Sequence, residues 1–220
     1  MKKTNNKEEL EKLETKYNRY MGIIKQILLI IIFVCIILLV RYGYVYSLMY
    51  KITEANNSDK SKENCKITYS YTYKNEENNS TIIVYCKDGI SVMKVEDFFT
   101  EYYIDNKKYS IYDTAIGKTY SINDFENRNF ETITTWERLL AVFNQANSCL
   151  NANIGYEDLN GEKCITLEKN NEKNWYNAEN YLLVKKEEEK YILDIKYENG
   201  VVTDEDISLP DLSEYEYKQD

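Results

Sequence analysis

Five cysteines, no histidine and 37 acidic residues set the chemistry open to this 220-residue chain. Without histidine there is no Ser-His or Cys-His nucleophile, no imidazole metal ligand and none of the usual pH switch. The cysteines lack CxxC spacing, so neither a zinc site nor a thioredoxin-like centre is indicated. The seven glycines form no phosphate-binding loop. Asp204-Glu205-Asp206 gathers oxygens that could face Ca²⁺, but it lacks the spaced acids and the glycine of an EF-hand loop and reads as a solvated acidic turn. Any two of the outer acids could pose as a glycosidase pair, and so many candidates identify none. No catalytic residue, no metal ligand and no cofactor is expected, and the chain is read as a non-enzyme.

What remains is thiol chemistry. Cys65 and Cys86 bracket CKITYSYTYKNEENNSTIIVYC, two alternating runs split by the turn-like NEENN. With a short turn there, the two cysteines fall on or beside opposite positions of a hairpin. Their face would carry Ile67, Tyr69, Tyr71, Ile82 and Val84. Cys65, Cys86, Cys149 and Cys164 form an even set with three possible pairings. The local pair is the best supported, and Cys149 with Cys164 would then close a 14-residue loop. Each link would contribute about 3 kcal/mol by restricting the unfolded chain. The alternative is four reduced, buried thiols. Which holds depends on the compartment, because disulfides persist outside the cytosol.

The compartment follows from IIKQILLIIIFVCIILLVRYGYVY. Residues 27–40 are an unbroken apolar run of 14 that includes Cys35. Snorkelling of Lys25 and Arg41, with tyrosines at the interface, extends it to a span over residues 23–44. RYGYVYSLMY is too bulky for a signal-peptidase site, so the helix reads as an uncleaved anchor. Residues 1–25 hold seven Lys/Arg against four Glu, a net +3; beyond Arg41, 20 basic and 33 acidic residues give −13. The positive-inside bias keeps the N-terminus in the cytoplasm and sends the bulk of the chain outside. The acidic outer part opposes nucleic acid as a partner.

The expected organisation is therefore a cytoplasmic tail over 1–22, a transmembrane helix over 23–44, a linker over 45–64 and an extracytoplasmic domain over 65–220. In the tail, Leu10, Leu13, Tyr17, Tyr20 and Ile24 make one helical stripe. It reads as a juxtamembrane helix on the inner leaflet or a short self-association or partner face. EANNSDKSKEN, residues 54–64, is polar and aperiodic and reads as a tether.

The outer domain alternates with period two from Lys66 to about Ile122, with Asp88–Gly89 as a hairpin turn and a second turn at Asn106–Lys107. Six strands with one wet face are expected. The period then changes. ETITTWERLLAVFNQANSC places Trp136, Leu139, Leu140, Phe143 and Ala146 on one helical face, and Thr134-x-x-Glu137 is a capping box. Strands resume in NANIGYE, EKCITLEK after the Asn160–Gly161 turn, NWYNAENYLLVKK and YILDIKYE. The acidic end is a closing strand or strap, with Pro210 limiting it to an edge. A lone amphipathic helix among antiparallel strands buries its apolar face on the sheet. Trp136, Leu139, Leu140 and Phe143 are the expected apolar lining, with Trp136 as the anchor. Tyr69, Tyr71 and Tyr73 line one strand face, and Tyr102, Tyr109 and Tyr112 are expected to add to it.

The run NGEKCITLE followed by NWYNAENYLLVKKEEEKYILDIKYENGVVTDEDISLPDLSEY resembles membrane-anchored or lipoprotein-type proteins of clostridia-like bacteria. That group is similar to the LolA/LppX-like lipoprotein-carrier half-barrel superfamily. The likeness covers residues 66–217, and TDEDISLPDLSEY is its most specific piece. It implies an α+β, mostly antiparallel fold: a strongly curved half-barrel of about eleven strands wrapped on a helix, here preceded by one transmembrane helix. It also implies an apolar hollow that takes acyl chains, or a sensor docked on another envelope protein. A carrier must diffuse and this chain is tethered, so local lipid capture or partner docking fits better than shuttling. The resulting expectation is a membrane-anchored binding module for lipid or another apolar ligand; the alternative is an envelope interaction or sensor protein with a packed core and no ligand.

Overall fold

The computed structural model describes residues 2–75, 79–126 and 134–219. The middle of the NEENN turn and the start of the ETITT stretch lie outside them. The chain divides into two compact units, Met1–Ser47 and Leu48–Asp220.

Helix α1 is assigned over Lys2–Asn57. In the first unit its apolar side chains, from Ile23 to Val40, are exposed all round. A helix apolar on every side suits hydrocarbon, where its backbone groups are already paired internally. Among the described residues α1 is the one helix long and apolar enough to cross a membrane.

The second unit is built on one sheet. Its strands are β1 (Cys65–Tyr73), β2 (Asn79–Lys87), β3 (Ile90–Val95), β4 (Phe99–Ile104), β5 (Lys107–Thr114) and β6 (Gly117–Asp124), then, after helix α2 (Thr135–Cys149), β7 (Asn153–Leu159), β8 (Glu162–Lys169), β9 (Glu172–Asn177), β10 (Leu183–Glu187) and β11 (Tyr191–Asn199). A four-residue helix α3 (Asp204–Ile207) and the short β12 (Glu216–Tyr217) complete it. The spatial order is β12-β6-β5-β4-β3-β2-β1-β11-β10-β9-β8-β7. The sheet is open and curved, and every pairing is antiparallel except β12 with β6. This is the α+β, mostly antiparallel class read from the sequence.

Turn chemistry explains the meanders. Asp88–Gly89 and Asn160–Gly161 both take positive φ at their two central positions, the geometry that matches strand twist. The turn expected at Asn106–Lys107 is centred one residue earlier, on Asp105 and Asn106, both with positive φ. NWYNAENYLLVKK is two strands rather than one: Asn177 accepts from the backbone N–H groups of Glu179 and Asn180, and Tyr181 takes positive φ. These Asx turns make the connection between β9 and β10, which pair antiparallel with a register shift at Leu183–Lys185.

Register divides the side chains between two faces. Cys65, Ile67, Tyr69 and Tyr71 share the first face with Cys86, Val84 and Ile82 of β2 and with Tyr197, Ile195 and Leu193 of β11. Cys65, Ile67, Cys86, Leu193 and Ile195 form one buried cluster there. On the second face Val92, Tyr102 and Ile111 form another, closed by Val202 and Ile207 from the C-terminal segment, with Leu209, Leu212 and Tyr215 against it. The expectation of one wet face is thus corrected over β2–β6, because the acidic tail is a strap that lies on that face. Lys87 pairs with Asp204, the Tyr215 hydroxyl donates to Asp113 at 3.3 Å, and Lys218 N–H donates to the Tyr120 carbonyl at 2.8 Å. Asp204-Glu205-Asp206 is α3 itself, with Asp206 accepting from the Thr203 N–H and hydroxyl.

The stretch read as a tether is ordered. Residues 54–57 finish α1, and Lys60–Lys62 form a 3-10 turn capped by Asp59. Asn56 donates to the Tyr181 carbonyl at 2.8 Å and accepts from Leu183 N–H at 2.9 Å, so the helix end is fastened to the β9–β10 connection. Met49 and Ile52 of the same helix end are buried. Asparagine amides satisfy backbone groups that the connection leaves open, which composition alone does not reveal.

Candidate functional site

Helix α2 begins as its capping box dictates: Thr134 and Glu137 exchange side-chain-to-backbone hydrogen bonds. Its packing is a correction. Val142 and Ala146 are fully buried, and Gln145 accepts from the Thr53 hydroxyl of α1. Trp136, Leu139, Leu140 and Phe143 are 69, 40, 42 and 46% exposed. Trp136 does not anchor the helix on the sheet, and none of the four lines either first-face hollow described below. α2 thus buries Val142 and Ala146 rather than its bulkiest stripe.

The C-terminal end of α2 and Met49 face β8 and β9 across a hollow of about 400 Å³, lined by Gln145, Cys149, Ala152, Leu167 and Tyr176. Leu167 lies opposite Asn174, Asn174 opposite Lys186, and Lys186 opposite Leu193. This places the helices on the first face, the one that carries Cys65 and Tyr71.

Farther along the same face lies a second hollow of about 380 Å³. Its floor is Ile67, Tyr69, Val84 and Cys86, and Tyr103 and Phe125 wall one side. Tyr103 and Phe125 meet edge-on, ring centroids 4.7 Å apart. The opposite rim is the 3-10 turn, held to the β2–β3 hairpin by Gly89 N–H donating to the Ser61 carbonyl at 2.9 Å. Beyond Tyr103 the face becomes polar. Glu101, only 8% exposed, accepts from the Tyr103 hydroxyl, from Lys108 at 3.2 Å and from Ser110 at 3.4 Å. Burial first, and the bond to Glu101 second, push the Tyr103 phenol well above its ordinary range. Burial also raises Tyr69 and Tyr197.

Apolar floor runs on from this hollow. Tyr71 and Tyr73 pack on Tyr191, and Phe99 on Tyr112 at 4.6 Å, all partly exposed. Tyr112 joins the first face as expected; Tyr102 and Tyr109 lie on the second face, under the strap. The signal that could have separated them is the one-residue register of the β4–β5 turn. Phe125 and the Ser58–Ser61 rim had no periodic signal at all.

The second face holds a cleft of about 750 Å³ beside β1, β8 and β11, with Thr68, Ser70, Cys164, Asn177, Asp194 and Lys196 in its wall. It is larger but mostly polar, whereas ligand pockets are mainly apolar with a few placed polar groups. The first-face hollow has that character.

All five cysteines carry free thiols in the structure. Cys65 and Cys86 are direct cross-strand partners. The structure does not bring Cys149 and Cys164 together. Cys149 lines the helix-side hollow with Leu167 and Tyr176, while Cys164 is on the other face of β8 with Thr166, opposite Asn177. A thiol on the helix side of the sheet and one on its opposite face are not placed for a bridge.

No protein-family model matches the chain, and no curated protein matches it. Solved structures do. The Pseudomonas aeruginosa MucA/MucB complex is similar at 10% identity and TM-score 0.44, over 76% of this chain and 61% of that one. A LolA superfamily protein from Nitrosomonas europaea is similar at 8% identity and TM-score 0.32, over 74% of this chain and 96% of that one. A DUF1329 family protein from Desulfovibrio piger is similar at 9% identity and TM-score 0.26, over 76% and 96%. This chain thus spans about three fifths of the MucA/MucB chain it matches. With every TM-score below 0.5, these likenesses identify neither ligand nor partner for this chain.

Proposed function

We propose that this chain is a single-pass membrane-anchored binding module whose outer domain, residues 65–220, holds an apolar ligand, a lipid acyl chain, in the first-face hollow. In this reading residues 1–22 are cytoplasmic, 23–44 span the membrane and the acidic remainder lies outside. The observation that supports it is the floor of Ile67, Tyr69 and Val84 in a hollow of about 380 Å³, continued by the half-exposed tyrosines of the same face. That volume lies within the ~300–1,000 Å³ of small-molecule sites. Native mass spectrometry of the chain extracted in mild detergent tests it. Co-purified lipid, lost in Val84→Glu while circular dichroism stays unchanged, is the expected result. Lipid-free protein, with no lipid taken up from vesicles, overturns it.

A second reading, an envelope interaction protein without ligand, is favoured by the exposed Trp136, Leu139 and Leu140 of α2. It predicts a cross-linked partner in intact cells that disappears in Trp136→Ser/Leu140→Ser, with lipid binding absent throughout.

A further inference from the structure

We propose that Cys65 and Cys86 form a structural disulfide that staples the centre of the sheet, made while the outer domain folds. The proposal rests on the outward topology given above, since that compartment supplies the oxidant.

The geometry comes from register. Cys65 faces Cys86 across β1–β2. Facing residues of an antiparallel pair have Cα atoms ~4.5–5.5 Å apart, inside the ~4.4–6.8 Å that a disulfide spans. Both side chains are buried in one cluster. No other cysteine shares this arrangement: Cys164 lies opposite Glu157 and Asn177, and Cys149 ends α2.

Position gives the bond its purpose. β2 through β6 lie on one side of the β1–β2 seam, and β11 through β7 on the other with β1. The link closes the open end of the β1–β2 hairpin, away from its turn, and so fixes the register of the two central strands.

The chemistry balances by thiol–disulfide exchange with a disulfide oxidant, small-molecule or protein. Cys86 is the sulfur on the hollow's floor, beside the Ser91 hydroxyl at 3.6 Å, and is taken as the attacking thiol. The Cys86 thiolate attacks the oxidant, one oxidant thiolate leaves, and a mixed disulfide forms. The Cys65 thiolate then attacks the Cys86 sulfur and expels the second oxidant thiolate. Two protons and two electrons pass to the oxidant, which ends as two thiols. Burial pushes the folded Cys65 thiol up to about 12, so exchange is slow once the domain has closed and the bond belongs to folding rather than to later signalling.

The test uses the full chain expressed in a cell that inserts it. Cells are lysed into denaturant with an alkylating agent, and the chain is digested without reduction. The expected result is a linked peptide pair containing Cys65 and Cys86, with Cys149 and Cys164 alkylated. Four alkylated thiols, or Cys65 linked elsewhere, in a chain whose outer domain added protease removes from intact cells, overturn the proposal. If protease never reaches the domain, the topology fails instead, and the pairing is judged on chain refolded in a glutathione/glutathione-disulfide buffer. There, Cys65–Cys86 as the single product supports it, and scrambled or absent pairing overturns it.

Discussion

Asn64 clamps Val202 at both of its backbone groups: Val202 N–H donates to Asn64 Oδ1 at 2.9 Å, and Asn64 Nδ2 donates to the Val202 carbonyl at 3.1 Å. The backbone of Asn64 itself accepts from Gly200 N–H at 2.7 Å. One side chain at the mouth of β1 therefore starts the strap that covers the second face.

Asn64→Ala leaves the polar groups of a buried Val202 without this partner and is expected to cost about 1–3 kcal/mol. Hydrogen exchange should quicken along residues 200–217 more than in β8 and β9. Limited proteolysis of the strap provides the parallel readout.

Trp136→Ser and Leu140→Ser, made singly in the purified chain, are expected to change stability by no more than ~0.5 kcal/mol, because both side chains stand in solvent. Val142→Ala is expected to cost about 2 kcal/mol through the cavity it leaves at a fully buried position. Urea unfolding compares the three; equal losses would place the helix on its other stripe.

Glu101→Gln keeps the shape of the cluster but removes the charge that Tyr103 and Lys108 address. The Tyr103 phenol should then titrate at lower pH, since the carboxylate is one of the groups that raise it. Absorbance at the tyrosinate band, compared with Tyr103→Phe, assigns the step.

Alkali should unfold the domain early. Tyr176 and Tyr191 are raised from 10.0 to about 12, Tyr176 mainly by burial and Tyr191 by burial followed by its bond to Glu188. In the unfolded chain these phenols ionise first, so their contribution is complete below pH 10 and is lost between about 10 and 12. The melting temperature, read across that window, should fall steadily, and Tyr191→Phe should flatten the slope.

Reducing the proposed Cys65–Cys86 link should lower the melting temperature by about 6–12 °C, from ~3 kcal/mol of loop entropy in a domain of this size. In the reduced, folded domain the half-buried Cys149 should alkylate faster than the buried Cys65.

Much of the architecture is legible in the chain. Alternation in KITYSYTYK, the Asp88–Gly89 and Asn160–Gly161 turns and the Thr134–Glu137 cap are local signals, and local physics decides them. The hollow is less so. Trp136 and Phe143 belong to the apolar stripe read from the sequence, yet the side chains that α2 buries are Val142 and Ala146. Which face Tyr102 and Tyr109 take depends on a turn centred one residue away from its apparent place. Ser58, Ser61 and Phe125 join the hollow's rim only through long-range contacts, which leave no period behind.

β1 sits in mid-sheet, paired on one side with β2 and on the other with β11. The first of these neighbours is synthesised almost at once; the second comes near the end of synthesis. Until then β1 offers a bare, tyrosine-rich border to any passing polypeptide, and chains cut short before Tyr191 keep that border for good. Nonsense products of this protein should therefore clump rather than persist as smaller folded pieces.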